Sequence, residues 1–327
     1  MFVAILALAA PPLANAQTRL GILYLNQGEN WPASSMIYGD YAYFTTNYYD
    51  GTNYHGSLVK IDLATFTLVG SLALELQQAG YEPWTGRATA AALDSANGMA
   101  YIAVEDKIAR VRLSQFDITG WLDVDYGGLY AALIPPATTG TPEYVFFGTC
   151  RYPPVEADPA KIVKIRLSDF TISGVLTLNP GEAALCGPAI YEWPGYGYFA
   201  FTSGAGWFGQ YGPHGVVKVD LNALTRVGVL TWAVEIGPAD TATTDYWTGC
   251  SYWGTQGGRV VSTAGLQYGS ALTLDPDERM LRGMIIYKVG GGYAFFATTG
   301  PYADKSKIVM IKLSGGTIHG CPTKRCL

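Results

Sequence analysis

Aromatic side chains cluster in the segments that separate the apolar runs of this chain. The segments 81–86 (YEPWTG) and 245–249 (DYWTG) resemble one another. Tyrosine and tryptophan offer large, stiff, amphipathic contact area, which suits a sugar ring or a protein loop. The residues that we predict to bind a ligand are Trp31, Tyr54, Tyr81, Trp84, Tyr152, Trp207, Tyr211, Tyr246 and Trp247. The alternative is that the tryptophans are wedges between neighbouring repeats.

Carboxylates recur at related places in the same segments. They are Glu29, Glu82, Asp125, Glu182 and Asp245. If a ring-shaped fold brought them together, their oxygens would suit a hard cation, and Ca²⁺ fits best. The alternative is local, because Gly28-Glu29 and Gly181-Glu182 also fit turns in which the carboxylate accepts backbone hydrogen bonds.

Nucleophilic catalysis finds little support in the sequence. The three histidines are His55, His214 and His319. The first two directly precede a glycine, which indicates a turn, and none stands in a nucleophile motif near a cysteine. We therefore assign no catalytic residue. The basic positions Lys60, Arg110, Lys164 and Lys218 are interpreted as a solvated strand edge.

Five cysteines suit an exported protein, in which disulfides persist. Cys321 and Cys326 enclose only PTKR, so we expect a bridge between them. Cys150, Cys186 and Cys250 leave one thiol over if two of them join, and the sequence does not choose among the pairings.

The first sixteen residues resemble a secretory signal. An apolar run from Phe2 to Ala10 is too short to span a bilayer, and Ala14-Asn15-Ala16 is a small-x-small cleavage pattern. We predict a signal peptide at 1–16 and one domain at 17–327. Because no Lys or Arg precedes Arg19, a wrong start codon or a buried first strand are the alternatives. No later segment is apolar enough to span a membrane.

The charge balance argues against nucleic acid as a partner. The chain carries 21 Lys and Arg against 26 Asp and Glu, and no stretch gathers enough basic residues to neutralise a run of phosphates.

The elements that must position these residues come from an internal repeat. Its copies are LVKIDLATFTLVG (58–70), IARVRLSQFDITG (108–120), IVKIRLSDFTISG (162–174), VVKVDLNALTRVG (216–228) and IVMIKLSGGTIHG (308–320). The long interval before the last copy leaves room for a degenerate one, which we place at 270–283. Six units of about fifty residues result.

Each unit shows the period-two pattern of β-strands. Val59, Ile61 and Leu63 alternate with polar residues, and further apolar pairs of strands lie upstream, as at 35–46, 89–104 and 284–299. Four strands per unit predict an all-β, six-bladed β-propeller of antiparallel blades. The segment 18–25 (TRLGILYL) resembles the fourth strand at 225–232 (TRVGVLTW), and we expect it to complete the last blade and close the ring.

Units such as YAYFTT (41–46) followed by LVKIDLATFTLVGSLAL (58–74) resemble extracellular β-propeller proteins of the YVTN and NHL type. The resemblance covers about residues 18–320 and implies an exported binding module, but it transfers no catalytic residue. Within each blade we name the strands A to D from the centre outward. The long B-to-C and D-to-A connections then share one face.

Two function classes lead at this stage, and a structural surface or matrix component is a third possibility. The first is a secreted, non-catalytic binding propeller that presents its aromatic face to a glycan or an extracellular protein. The second is a propeller hydrolase or lyase with a cation and carboxylates at the channel mouth. We favour binding, because no acid, base or metal constellation stands out from the repeat.

Overall fold

The structure is a computed structural model that describes residues 25–26, 29–74, 86–136, 141–150, 159–192, 195–202, 214–245, 250–274, 281–287, 293–298 and 307–312. Within these ranges it is built almost wholly of antiparallel strands, joined by tight turns and one short 3₁₀ helix at Val234–Ile236. No helix in the described ranges is long and apolar enough to cross a membrane.

Twenty-three strands are described, and they form six separate sheets in chain order. The first sheet contains β1 (Asn30–Tyr38), β2 (Tyr41–Tyr49), β3 (Tyr54–Asp62) and β4 (Thr67–Ala73). The second contains β5 (Ala88–Asp94), β6 (Met99–Val104), β7 (Lys107–Arg112) and β8 (Asp117–Asp123). The third contains β9 (Leu129–Leu133), β10 (Tyr144–Thr149), β11 (Lys161–Arg166) and β12 (Thr171–Thr177).

The remaining sheets follow the same up-and-down order. The fourth contains β13 (Ala189–Glu192), β14 (Tyr196–Thr202), β15 (His214–Asp220) and β16 (Thr225–Trp232). The fifth contains β17 (Ala239–Asp245), β18 (Cys250–Thr255), β19 (Arg259–Ala264) and β20 (Gln267–Thr273). The described part of the sixth contains β21 (Leu281–Tyr287), β22 (Tyr293–Thr298) and β23 (Lys307–Lys312).

The first strands of successive sheets lie side by side. β5 lies between β1 and β9, and β17 lies between β13 and β21. Buried apolar clusters fill the spaces between sheets, such as the one that joins Ala103 and Ile108 of the second sheet to Val163 and Phe170 of the third. The predicted all-β fold of repeated antiparallel sheets is therefore confirmed as β-propeller-like.

The repeated sequence phrase is the outer hairpin of each of the first four sheets, and the geometry of its turn explains its residues. Phe66, Phe116, Phe170 and Leu224 occupy equivalent turn positions with φ between 51° and 56°. This left-handed conformation is uncommon for bulky residues and needs support from packing. In the second to fifth sheets the turn side chain meets the preceding sheet's outer strand at a glycine: Phe116 faces Gly70, and Phe170 faces Gly120.

Those glycines leave the room that the turn side chains occupy. A Cβ built on Gly174 would come within 2.8 Å of Leu224 Cδ2, and one on Gly228 within 2.5 Å of Leu266 Cδ1. The third and fourth strands also share a register shift in every four-stranded sheet, as between Lys60 and Ile61. The turn, the bulge and the glycine together lock each sheet onto the one before it.

Two details of the sequence interpretation are wrong. The degenerate copy does not lie at 270–283, because that range runs from the end of β20 into β21; the fifth outer hairpin is β19–β20. The basic positions, which we call the basic column, do not form a solvated strand edge, because their side chains are partly buried over aromatic rings. They are Lys60, Arg110, Lys164 and Lys218. Lys60 Nζ lies 3.9 Å from the ring centroid of Tyr41, and Lys218 Nζ lies 4.1 Å from that of Tyr196.

Candidate functional site

We call the side of the molecule that carries the B-to-C and D-to-A connections the loop face, and the opposite side the turn face. Neighbouring sheets are joined directly at the loop face. Asn47, near the end of β2, accepts a hydrogen bond from Ala88 N at 2.7 Å and donates one to Ala88 O at 3.0 Å. Glu105 O likewise accepts from Leu129 N at 2.8 Å. The B-to-C end of one sheet therefore meets the D-to-A entry of the next.

Four side chains from the first three sheets meet at this face, and we call them the Glu105 cluster. Tyr54 begins β3, Arg87 directly precedes β5, Glu105 lies in the two-residue turn between β6 and β7, and Tyr130 lies in β9. The guanidinium carbon of Arg87 lies 5.2 Å from the ring centroid of Tyr54 and 5.9 Å from that of Tyr130. The guanidinium group therefore lies over both aromatic rings.

Backbone contacts hold this cluster in place. Glu105 N donates to Arg87 O at 3.1 Å, so a backbone hydrogen bond holds the two charged residues next to each other. Glu105 has a φ of 54°, a conformation that non-glycine residues rarely adopt. Next to Arg87, Gly86 lies so close to the carbonyl oxygen of Tyr54 that no side chain fits at that position. The close approach of these two backbone segments therefore requires glycine at position 86, the last residue of the first WTG segment.

Among the described carboxyl groups whose pKa is shifted, Glu105 is the one whose pKa is raised. Burial raises the pKa of the Glu105 carboxyl from 4.5 to about 7, although Arg87 opposes the shift, and Asp106 adds to it. Burial and the Glu105 carboxylate raise the pKa of Tyr130 to about 12. Among the described residues, Glu105 Oε1 is buried without a hydrogen-bond partner. An unsatisfied buried acceptor of this kind is costly, and it can hold or release a proton near neutral pH.

Further aromatic rings extend the cluster along the loop face. Tyr49 and Tyr54 face each other across the β2–β3 hairpin with ring centroids 4.9 Å apart, and Tyr49 is 41% exposed. Lys161 Nζ lies 5.1 Å from the ring centroid of Tyr126, whose side chain is also exposed. In the described part of the first three sheets, the loop face thus carries several tyrosines, and a binding role for them stays a prediction.

The sequence predicted a loop over residues 47–56 between the second and third strands of the first sheet, and the loop in the structure is shorter. Only residues 50–53 separate the two strands, and Asp50 Oδ1 accepts hydrogen bonds from Thr52 N and Asn53 N, each at 2.7 Å. His55 Nε2 lies 2.9 Å from the other oxygen of Asp50. These contacts lower the pKa of Asp50 to about 2, the hydrogen bond from Asn53 contributing most. Asp50 and His55 thus stabilise the tip of the hairpin.

His214 is not on a loop surface. It is fully buried at the start of β15, with Nδ1 2.9 Å from Thr202 Oγ1. Burial lowers its pKa to about 4, so the imidazole is neutral at physiological pH. The third histidine, His319, lies outside the described residues.

Of the predicted ligand-binding residues, Tyr54 is the one whose side chain the structure describes. Trp31 falls within β1 rather than in a connection. The other seven lie outside the described residues: Tyr81, Trp84, Tyr152, Trp207, Tyr211, Tyr246 and Trp247. Their roles stay predictions.

The similarity of the two WTG segments predicted that each lies just before an innermost strand, and for the second segment that prediction is wrong. The segment ending at Gly86 precedes β5, an innermost strand, as expected. Asp245, however, ends β17, and β18 begins at Cys250, so the second segment joins strands A and B of the fifth sheet. That connection belongs to the turn face.

The predicted cation ligands are not brought together in the described part of the chain. Glu29 Oε2 accepts from Asn26 N at 2.8 Å, and Glu182 Oε2 from Asn179 N at 3.0 Å, which is the turn role named as the alternative. Glu182 also forms a two-point ion pair with Arg226, at 2.6 and 2.9 Å.

The other carboxylates do not change that result. Asp125 is exposed, Glu82 lies outside the described residues, and the side chain of Asp245 is not described. No group of three or more His, Cys, Asp or Glu residues suited to a metal occurs among the described residues. A Ca²⁺ site stays a prediction.

One cysteine pairing left open by the sequence is resolved. Cys150 and Cys186 form a disulfide with their Cα atoms 5.0 Å apart. It lies next to an isolated antiparallel β-bridge between the backbones of Cys150 and Ala184. Cys250 is buried and is also disulfide-bonded, so it is not the thiol that pairing among these three cysteines alone would leave over. The expected Cys321–Cys326 bridge lies outside the described residues and stays a prediction. Non-reducing peptide mapping provides its test.

Sequence reasoning missed Arg87, Glu105 and Tyr130. The available signal was an arginine directly before an innermost strand and an acidic residue in a turn of only two residues. Neither is conspicuous, because the cluster forms only when three sheets pack side by side.

Comparison with known proteins bears on the fold. No known protein family matches the sequence, and no curated protein matches it. The fold is similar to a solved structure titled hydrazine synthase, from Kuenenia stuttgartiensis, with a TM-score of 0.64 and 12% identity. The match covers 90% of this chain and 80% of that one. Together with the repeated antiparallel sheets, this similarity identifies the chain as a β-propeller-like repeat protein.

Proposed function

We propose that this chain is an exported, non-catalytic binding protein whose loop face takes a glycan or an extracellular protein. Its scaffold, in this proposal, is a six-bladed propeller of the YVTN and NHL type, closed by the N-terminal strand. The Cys150–Cys186 disulfide supports export, because such bonds persist in oxidising compartments.

The observation that carries the proposal is the Glu105 cluster. It combines two aromatic rings, a guanidinium group and a carboxylate with an unsatisfied oxygen at the junction of three sheets. Aromatic faces contact the apolar faces of sugars or protein side chains, and the charged groups fix orientation through hydrogen bonds. Exposed Tyr49 extends this surface outward.

One observation favours the alternative, a hydrolase or lyase. A general acid or base works best with a pKa near the working pH, and the pKa of Glu105 is about 7. The rest of such a site would come from carboxylates and a cation at the channel mouth, which stay predictions.

A glycan-array screen of the purified protein, with a metal analysis of the same sample, provides the test. Ligands found would be titrated against wild type, Tyr54→Ala and Glu105→Gln, with Tyr268→Ala as the control, since Tyr268 is an exposed ring in the fifth sheet. We expect at least a tenfold loss of affinity for Tyr54→Ala and none for the control. Equal affinities for all variants would remove the cluster from the binding surface.

Turnover separates the two functions. If a bound glycan is cleaved by wild type and not by Glu105→Gln, the protein is an enzyme and the binding proposal fails. Unchanged ligand after long incubation, together with the expected affinity losses, supports the binding function.

A further inference from the structure

The guanidinium group of Arg87 differs from those of three other arginines in what it contacts. Arg112, Arg166 and Arg226 each donate to a carboxylate, at 2.8, 3.0 and 2.6 Å. Among the described residues, the Arg87 side chain has no hydrogen bond and no ion pair, and it contacts two tyrosine rings instead. Contact with ring faces leaves the N–H donors of a guanidinium group unused.

The carboxyl group of Glu105, in the same cluster, does not take up these donors. Its Oε1 is buried without a hydrogen-bond partner among the described residues. Its other oxygen lies against the backbone of the third sheet, 3.4 Å from a Cβ built on Gly128. The half-buried cation of Arg87 therefore lacks the anionic partner that such a group normally has.

The charged and titratable groups around Glu105 leave this cation only partly compensated near neutral pH. Burial and Asp106 raise the pKa of Glu105 to about 7, against the effect of Arg87 from the second sheet. Tyr130 faces it from the third sheet and is uncharged, because its own pKa is about 12. The first sheet contributes the ring of Tyr54, next to Arg87. A large share of Glu105 is thus neutral at physiological pH.

We propose that the ligand of the Glu105 cluster is an acidic glycan, whose uronate carboxylate accepts hydrogen bonds from Arg87 while its sugar ring packs on Tyr54. An arginine matches a carboxylate with two parallel N–H donors, and such charge-assisted bonds are strong. The carboxylate of a uronic acid is attached directly to the sugar ring. One residue can therefore reach both the cation and the ring of Tyr54, whose centroid lies 5.2 Å from the guanidinium carbon. This inference rests on the proposed binding function.

The tyrosines favour a sugar over an acidic peptide as the source of the carboxylate. Tyr49 continues the surface beyond Tyr54, with ring centroids 4.9 Å apart, and is 41% exposed. Aromatic faces of this kind suit the apolar faces of successive sugar rings. An aspartate or glutamate side chain carries its carboxylate on a flexible stem and would leave these faces uncovered.

Titration calorimetry of the purified protein at pH 6 tests the proposal with three probes: an oligogalacturonate, its methyl ester and an oligoglutamate. We expect the oligogalacturonate to bind at least tenfold more tightly than either of the others, because it alone combines the carboxylate with the ring. Arg87→Gln should remove this preference. Arg112→Gln is the matched control, since it makes the same charge change at the end of β7, on the turn face, and should keep the preference.

A pH readout distinguishes this role from a merely structural one. The uronate is ionised at both pH 6 and pH 8, whereas Glu105 gains a negative charge next to Arg87 over this range. Wild type should therefore bind the oligogalacturonate at least threefold more tightly at pH 6 than at pH 8. Glu105→Gln should bind it equally at both values. This comparison tests the proposal even if Arg87→Gln does not fold.

Three outcomes would overturn the proposal. They are equal affinity for the oligogalacturonate and its methyl ester, tighter binding of the oligoglutamate, and affinity in wild type that does not change with pH. Neutral glycans from the array whose binding requires Tyr54 but not Arg87 would also overturn it, and would leave the binding function intact. Absence of binding to any glycan would instead remove glycan binding itself, so the two failures are distinguishable.

Discussion

The turn face and the loop face lie at opposite ends of the same strands, but the outer hairpins of the turn face are alike and the connections of the loop face are not. On the turn face, the outer hairpins repeat one design, with a left-handed turn residue and a glycine on the neighbouring sheet. On the loop face, the connections differ: four residues closed by Asp50 in the first sheet and two residues with Glu105 in the second. Repetition therefore marks what holds the sheets together, and departure from it marks where a ligand site can form.

The largest effect that we expect comes from the turn face. Phe170 is 8% exposed and its ring lies 5.8 Å from that of Tyr101 in the neighbouring sheet. Phe170→Ala should lower the free energy of unfolding by about 3–5 kcal/mol, because it empties a buried site between two sheets. Denaturant unfolding provides the measurement.

Trp121→Ala is the matched control, since Trp121 is 36% exposed in the second sheet. Its loss should stay below about 1 kcal/mol. Similar losses for the two variants would mean that the turn residues do not lock the sheets.

The next effect belongs to the loop face and depends on pH. Below pH 4.5 Glu105 is protonated in both the folded and the unfolded chain, so its ionisation does not change the free energy of unfolding. As the pH rises toward 7, the unfolded chain ionises first, so the wild type loses stability. With a pKa raised from 4.5 to about 7, the loss is on the order of 3 kcal/mol above pH 7.

Glu105→Gln removes this penalty. The variant should match wild type at pH 4 and exceed it at pH 8 in chemical unfolding. Asp50→Asn serves as a control of opposite sign, because the pKa of Asp50 is lowered to about 2 and its contribution is lost on acidification toward that value. A variant of Glu105 that is less stable than wild type at pH 8 would contradict the buried-carboxyl interpretation.

These differences also explain how far the sequence could lead. The period-two alternation and the repeated phrase suffice for the sheets, because each hairpin depends on its own residues and its neighbour's glycine. The fifth hairpin was misplaced because Ala264, Gly265 and Leu266 replace the usual turn sequence. The Glu105 cluster was missed because its members come from three sheets, and a local pattern does not show which turns meet.

A smaller effect tests the basic column on the walls between sheets. Lys60 Nζ lies 3.9 Å from the centroid of Tyr41 and 5.8 Å from that of Phe116 in the next sheet. Lys60→Met keeps the aliphatic length but loses the charge over the rings, and should cost about 1 kcal/mol in unfolding free energy. An unchanged stability would restore the interpretation of a solvated edge.

The smallest stability effect is expected at the outer end of the loop face, where binding should suffer most. Tyr49 faces Tyr54 directly across the hairpin, but it is 41% exposed, so Tyr49→Ala should cost only about 0.5 kcal/mol of unfolding free energy. If the rings contact a ligand, the same change should weaken binding at least tenfold, measured by titration with a ligand from the array. A loss of stability with no loss of affinity would instead make Tyr49 a support for the hairpin, and the binding surface would have to be sought away from the β2–β3 tip.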